Sequence, residues 1–241
     1  MITKNQIKLI VSLHQKKNRI ENQMFIVEGE KGIRELLQSQ FHLMHIYQTS
    51  SVFDDVDDGL KTIISESDLK KISALTTANN CLAIFKIIEY KPLENSGLIL
   101  VLDDIRDPGN LGTIIRLCDW FGINQLVCTP ETVDVFNPKV VQATMGSLTR
   151  VAVNYQNIEN FITNCNMPIF GTFMEGQNIY KTNLPKNGLI IMGNEANGIS
   201  KSIEKLVTDK LMIPRFGNIQ KTESLNVATA TAIILSEFLR N

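Results

Sequence analysis

Three stretches of the chain gather polar side chains directly after apolar runs. In LVLDDIRDPGNLGTIIRLCDWFG (100–122) a strand-like run ends in Asp103 and Asp104. A Pro108–Gly109 turn follows, and Asn110, Gly112, Thr113 and Arg116 fall on the first turns of a helix. In LIIMGNEANGIS (189–200) a buried-looking strand opens into Gly193, Asn194, Glu195 and Gly198. In LMIPRFGNIQKTESLNVATATAIILSEF (211–238) a strand is followed by Pro214, a glycine-bearing loop and a long helix opened by Ser224 and Asn226. Strand, turn and helix would suit a phosphate cradle, but the glycines are spaced G-x-x-G with no third. The Gly-Lys-Ser/Thr of a Walker loop is missing too, so neither nucleotide fingerprint is met.

Each residue has a plain reading beside a chemical one. Gly193 lets backbone approach a ligand closely, and Glu195 can accept hydrogen bonds from a hydroxyl or an amide. The same G-N-E-x-x-G is also an ordinary turn before a helix. Ser224 suits a helix cap, whereas Asn226 inside a first turn is less usual. Ala228, Ala230 and Ala232 keep that helix thin, so other chain can pack close to it. Cys81, Cys118, Cys128 and Cys165 lie far apart with no C-x-x-C pair. They read as reduced packing residues. His14, His42 and His45 form no metal set with them, so no metal is expected.

The elements that position these clusters follow from periodicity. Helices are expected at 3–15, 30–39 and 67–75, with strands at 24–29, 42–49, 62–65 and 81–88. Residues 1–92 thus read as an α/β domain, and the Pro, Glu, Asn, Ser and Gly of 89–97 as a linker. Residues 97–241 alternate again, with strands at 98–103, 124–129, 150–153, 168–173, 188–192 and 210–213. Helices are expected there at 110–121, 138–146, 157–165, 200–207 and 223–239. Strands such as LILVLD are apolar throughout, as in a parallel sheet covered on both faces. Ligands bind beyond the carboxyl ends of such strands, where the three polar clusters sit.

The chain has 241 residues, 44% of them hydrophobic and 20% charged, with a formal net charge of −1. No apolar run approaches a membrane span, and the N-terminus has no h-region, so a cytoplasmic protein is expected. Lys4, Lys8, Lys16, Lys17 and Arg19 all precede the first acid, Glu21. This basic start is either a solvated helix face or a nucleic-acid contact. Lys16, Lys17 and Arg19 are expected in a loop before the strand at Met24.

Taken together, the three clusters resemble the motifs of the SpoU/TrmH-like 2′-O-ribose methyltransferases of the SPOUT superfamily. Asn110, Gly112, Thr113 and Arg116 match the first motif, MGNEANGIS the second, and Ile-Pro followed by Ser-Leu-Asn-Val the third. VQATMGSLTRVAV (141–153) is similar to the segment between the first two. SLHQKKNRIENQMFIVEGEKGIRELL (12–37) resembles an L30e-like RNA-binding domain. The loop from Pro214 to Ser224 is longer than in the commonest members, which leaves Arg215 to Thr222 without an assigned role.

The resemblance implies an α/β fold with a deep trefoil knot in the C-terminal domain, S-adenosylmethionine as cofactor, and a homodimer through that domain. The apolar Val227, Ile233, Ile234, Leu235 and Phe238 of the last helix are expected to supply the dimer surface. The resemblance places the cofactor among Thr172, Gly193, Ile213 and Leu225, and the reacting end among Asn110, Arg116, Glu195, Ser224 and Asn226. A structural ion pair of Arg116 with Glu195 or Asp119 is the alternative for that residue. RNA is the implied substrate, ribosomal before transfer RNA, with Lys16, Lys17 and Arg19 gripping it. A catalytically silent RNA-binding protein of the same fold is the rival reading.

Overall fold

A computed structural model describes residues 2–90, 93, 94, 96–219 and 224–240. The start of the last expected helix and part of the expected linker and long loop (220–223, 91, 92 and 95) lie outside them. The chain divides into two compact units by its contacts. One comprises residues 1–89 with 134–149, the other residues 90–133 with 150–241.

In the first unit, α1 (Lys4–Ser12) and α2 (Lys16–Asn22) precede β1 (Met24–Glu28) and α3 (Glu30–Leu37). Then come β2 (Leu43–Gln48), β3 (Lys61–Ile63), α4 (Glu66–Ile72) and β4 (Cys81–Lys86). Thr3 starts α1 with a capping box, its side chain and that of Gln6 each serving the other's backbone N–H. The sheet order is β1-β4-β2-β3, with β4 antiparallel to both neighbours and β3 parallel to β2. One face buries Ile26, Tyr47, Leu82 and Ile84 against Ile10 and Leu13 before β1 and Leu69 and Ile72 of α4. Phe25, Phe41 and Phe136 form a separate ring cluster, with Phe136 4.6 Å from Phe25 and Phe25 5.4 Å from Phe41.

In the second unit, β5 (Leu98–Leu102), α5 (Pro108–Phe121) and β6 (Gln125–Cys128) come first. The chain then contributes α6 (Pro138–Thr144) to the first unit before returning. It continues through β7 (Ala152–Tyr155), α7 (Ile158–Thr163), β8 (Ile169–Asn178) and β9 (Gly188–Met192). The last elements are α8 (Lys201–Glu204), β10 (Asp209–Met212) and α9 (Val227–Leu239). The strands form one parallel sheet in the order β10-β8-β9-β5-β6-β7. Ile99, Val101, Leu189 and Ile191 pack on α7 and α8. The alternate residues Leu100, Leu102, Ile190 and Met192 are buried as well, which accounts for the unbroken apolar runs. On α9, Phe238 meets Phe170 of β8 edge to face at 5.2 Å.

Two features of this unit set up the site. Leu102 pairs with Met192, so Asp103 and Gly193 leave the sheet side by side. The β8–β10 ladder changes register between Lys210 and Leu211, whose partners are Gly171 and Gln177. The jump releases residues 172–176 from pairing with β10.

Three expectations need correction. Residues 16–22 are a helix, not a loop, and Arg19 is not on its outer face. Arg19 is 2% exposed. Its Nε and Nη2 donate to Asp134 Oδ2 at 2.9 and 2.6 Å, and its Nη1 donates to the carbonyls of Leu13 and His14. A buried guanidinium with these partners consumes its donors internally and cannot grip RNA. Lys16 and Lys17 point outward from the same helix. In α9, Val227, Ile234, Leu235 and Phe238 are buried within the protomer and Ile233 is half-buried. The four buried ones are core, because α5 lies against this helix and Phe238 meets Phe170 of β8, so those four do not supply a dimer surface.

Removing the Arg19 side chain would leave the Asp134 carboxylate largely buried without its cation. Breaking such a pair costs about 3 kcal/mol or more. Arg19→Ala is expected to lower stability by about 3 kcal/mol in urea unfolding, while Lys17→Ala stays within about 0.5 kcal/mol. Equal, small effects for both would show that the Arg19–Asp134 pair holds nothing.

Candidate active site

The three polar clusters meet at the carboxyl ends of β5, β9 and β10. Asp107 caps α5 by accepting from Asn110 N at 2.8 Å, and Pro108 occupies the first turn. Asn110 thereby stands at the start of α5 with its side chain turned to the other clusters. Its Nδ2 donates to Glu195 Oε1, and its Oδ1 accepts from Asn226 Nδ2 at 2.9 Å. Asn226 is the N-cap of α9, its Oδ1 accepting from Ala228 N at 3.0 Å and Thr229 N at 3.2 Å. A continuous chain of polar groups therefore runs from the α9 N-terminus through Asn110 to the Glu195 carboxylate. It uses one residue from each cluster.

The expectation that Asn226 lies inside the first turn of a helix starting at 223 is corrected: the helix starts four residues later. α9 begins at Val227 and Asn226 holds its cap, so Ser224 lies ahead of the helix and is exposed. Arg116 is not part of the polar chain. It is exposed, two turns along α5, and makes no hydrogen bond or ion pair among the described residues. The alternative partners are engaged elsewhere: Glu195 holds Asn110, and Asp119 accepts from Arg150 Nε at 3.0 Å.

A cavity of about 1220 Å³ adjoins this chain within the second unit. The four residues expected to hold the cofactor, Thr172, Gly193, Ile213 and Leu225, all line it, together with Glu195 and Ser224. The residues freed by the β8 register jump form one wall, and Val227, Ala230 and Ile234 of α9 form an apolar one. A mostly apolar concavity with a few convergent polar groups suits an adenosine-bearing ligand, and its volume is ample for one. Thr172 spends its hydroxyl on Ile191 O at 3.0 Å. That hydroxyl has no hydrogen left to donate to a ligand.

Gly193 is indispensable for a reason other than ligand approach. Asn194 and Gly198 exchange backbone hydrogen bonds of 3.0 and 2.8 Å, which folds the turn back over Gly193. A Cβ on Gly193 would lie 2.3 Å from Gly198 C and Ile199 N. The space is filled by the chain's own backbone.

Three residues without an assigned role in the sequence hold this turn. Asn194 Oδ1 accepts from Ala196 N and Asn197 N, and its Nδ2 donates to Asp104 O at 2.7 Å. Buried Asp103 accepts from Ser200 N at 2.7 Å. Asp104 has a left-handed backbone (φ 59°), costly for a residue with a Cβ. It is held there by Thr129 Oγ1 on its N–H and by Arg106 Nε on its carboxylate. The signal was present in the Asp-Asp pair at a strand end and in Asn after Gly, both turn formers.

The cysteines are remote from this chemistry. All four are buried, and burial pushes the Cys81 thiol up to about 11 and those of Cys118 and Cys128 higher still. Among the described residues no group of three or more His, Cys, Asp or Glu is placed to hold a metal ion. No helix among them is long and apolar enough to cross a membrane.

A parallel α/β unit with its ligand cavity at the strand ends, bordered by these three motifs, defines an S-adenosylmethionine-dependent class of methyltransferase fold. Residues 97–236 match the SpoU rRNA Methylase family, and the chain belongs to it. Residues 4–83 match the MRM3-like substrate binding domain. The chain is 29% identical over 241 residues to the 23S rRNA (guanosine(2553)-2′-O)-methyltransferase RlmP of Bacillus subtilis, covering 96% of this chain and 95% of that one. Its fold is similar to that of a putative RNA methyltransferase of the TrmH family from Porphyromonas gingivalis. The TM-score is 0.90 at 37% identity, covering 100% and 99% of the two chains. An AdoMet-bound rRNA methyltransferase from Sinorhizobium meliloti is similar at TM-score 0.87 and 28% identity, covering 100% and 96%.

Gly193→Ala should force the 194–198 turn away from the cavity. The expected cost is about 1–3 kcal/mol in stability, with S-adenosylmethionine binding lost in calorimetry. Retained binding at unchanged affinity would mean that the turn does not shape the cavity.

Proposed function

We infer that this protein transfers a methyl group from S-adenosylmethionine to the 2′-oxygen of a ribose in ribosomal RNA. The observation that carries this reading is the Asn226–Asn110–Glu195 chain at the cavity wall. It joins three motifs that chain order keeps far apart. Membership of the SpoU family and the kinship with a 23S rRNA enzyme support it.

When bound, S-adenosylmethionine supplies an electrophilic methyl on a sulfonium and departs as a neutral thioether. The chain's own work is alignment. Thr172, Gly193, Ile213 and Leu225 would hold the cofactor, largely through backbone groups and apolar contact. Glu195 and Ser224 face the same cavity and orient the incoming ribose. Asn110 fixes the Glu195 carboxylate and is itself fixed by Asn226. Placing the oxygen in line with the methyl removes much of the entropic barrier.

Arg116 is the group for the charge that develops. A guanidinium essentially never deprotonates in a protein, so it is not a general base. As an exposed cation with no internal partner among the described residues, it clamps the neighbouring RNA phosphate and stabilises negative charge growing on the 2′-oxygen. The proton then leaves to phosphate or water.

Two further elements belong to this reading. Lys16 and Lys17 on the outer face of α2 contact the RNA backbone from the substrate-binding unit. The second unit forms a homodimer. Exposed apolar residues such as Phe216 and Ile219 support that reading in place of the buried side chains of α9.

Arg116→Ala is expected to abolish incorporation of labelled methyl into rRNA from cells lacking the gene, while the rise in melting temperature with S-adenosylmethionine persists. Arg116→Lys should also fail, since an ammonium cannot reproduce a planar fork on phosphate. Loss of the thermal shift in Arg116→Ala would place that side chain on the cofactor instead. A wild-type protein with the shift but no methyl transfer would point to the silent RNA-binding reading.

Changing Lys16 and Lys17 together to alanine should flatten the salt dependence of log affinity by about 1.4 to 1.8 units if each holds one phosphate. Turnover at saturating RNA should be retained. An unchanged slope in filter-binding titrations would assign these lysines to solvent.

A further inference from the structure

The peptide between Asp104 and Ile105 decides where the Glu195 turn sits. Asp103 still follows the sheet, its N–H donating to Met192 O at the end of β9 at 2.9 Å. The next two N–H groups both face the β6 side. Asp104 N donates to Thr129 Oγ1 at 2.9 Å and Ile105 N to Thr132 Oγ1 at 3.2 Å. Both threonines are buried, and their hydroxyls are bonded to each other at 3.2 Å. Successive N–H groups share one side only where the backbone leaves the extended region, and Asp104 does so with φ 59°. A trans peptide carries its C=O and N–H on opposite edges. With Ile105 N–H held by Thr132, Asp104 O must face the other way. There it accepts from Asn194 Nδ2 at 2.7 Å.

Asn194 stands directly before Glu195 and is the pivot of its turn, because its Oδ1 holds the N–H groups of Ala196 and Asn197. The far end of the turn is tied separately, by Ser200 N on Asp103 Oδ2 at 2.7 Å. We propose that Asp104 is a positioning residue for the methyl transfer inferred above, on which this proposal rests. Its left-handed backbone aims a carbonyl at Asn194 and so sets Glu195 against Asn110. The side chain is not the working part. The Asp104 carboxylate spends itself on Arg106 Nε at 2.8 Å, and neither residue lines the cavity. What the position demands is tolerance of a positive φ. Glycine adopts it without steric cost and asparagine does so readily, whereas a β-branched side chain does not.

Activity among substitutions should therefore follow backbone tolerance and not charge. With S-adenosylmethionine saturating and rRNA from cells lacking the gene, Asp104→Gly and Asp104→Asn should keep the wild-type kcat. Asp104→Val should return the residue to extended backbone and release Asn194. Its kcat should fall by about 100-fold, the scale of a displacement of about 1 Å at a reacting group, with KM for the RNA kept. Asn194→Asp removes the Nδ2 donor but retains the Oδ1 acceptor. It should lose as much, and the double variant no more than either single one. Should the Asp104→Val chain fail to fold, Asn194→Asp carries the test alone. Amide hydrogen exchange across residues 193–200 reads the turn without turnover. It should be fast in Asp104→Val and Asn194→Asp and as slow as wild type in Asp104→Gly. Equal loss of kcat in Asp104→Gly and Asp104→Val would make the carboxylate the working part and overturn the proposal. So would Asp104→Val with a lower melting temperature but unchanged kcat, or Asn194→Asp with the wild-type kcat. If the wild-type protein transfers no methyl while exchange keeps this order, the positioning of the turn stands and the methyltransferase reading falls.

Discussion

The second unit depends on what a single amide does at the start of α5. Asn110 gives its Nδ2 hydrogen to Glu195 and takes one from Asn226 on its Oδ1. An amide is the side chain for this place because it carries a donor and an acceptor a fixed distance apart. A carboxylate at 110 would repel Glu195, and a hydroxyl would not span both neighbours. The link also sets the start of α9, because Asn226 cannot serve Asn110 and cap the helix unless the chain turns at that residue. Cavity wall, carboxylate and helix terminus are thus fixed together.

The same unit shows how sheet irregularity is used. A regular β8–β10 ladder would have kept residues 172–176 paired with β10. The change of partner at Leu211 sets them free to wall the cavity. On the adjoining strand, the backbone bonds between Asn194 and Gly198 close a turn that tolerates no side chain at its base. Asp104 is held in an unfavourable backbone region by three separate partners, the kind of local cost that persists where surroundings over-determine it.

Much of this was readable in the amino-acid order, and the failures have physical causes. The strands were legible because parallel strands buried on both faces are apolar without interruption, whereas the start of α5 was read two residues late because Pro-Gly suggests a turn and here forms the first helical turn behind the Asp107 cap. Arg19 was not legible. Its basic neighbours Lys16 and Lys17 suggest solvent, and only a carboxylate more than a hundred residues away makes burial affordable. The start of α9 was read four residues early because Ser224 and Asn226 both suit a cap, and nothing local chooses between them. The apolar side of α9 read as surplus for lack of knowledge that α5 lies against it. The alternation of residue types reports which faces are buried, but not which element buries them.

The loan of residues 134–149 to the first unit has a temporal side. Phe136 closes the aromatic cluster on Phe25, and Asp134 neutralises Arg19, yet both are made after β5, α5 and β6 of the other unit. On the ribosome, the first 89 residues emerge with an uncompensated buried arginine and an open aromatic face. They wait for roughly 60 more residues, about 3 to 12 seconds at ordinary elongation rates. The amino-terminal unit is therefore finished only after β5, α5 and β6 of the second unit have been made, although still ahead of the rest of that unit. Its completion is tied to successful synthesis of the opening segment of the second unit, residues 90–133. A nascent chain that stalls before residue 134 carries an unfinished aromatic core and an unmatched arginine, which makes it a substrate for chaperones.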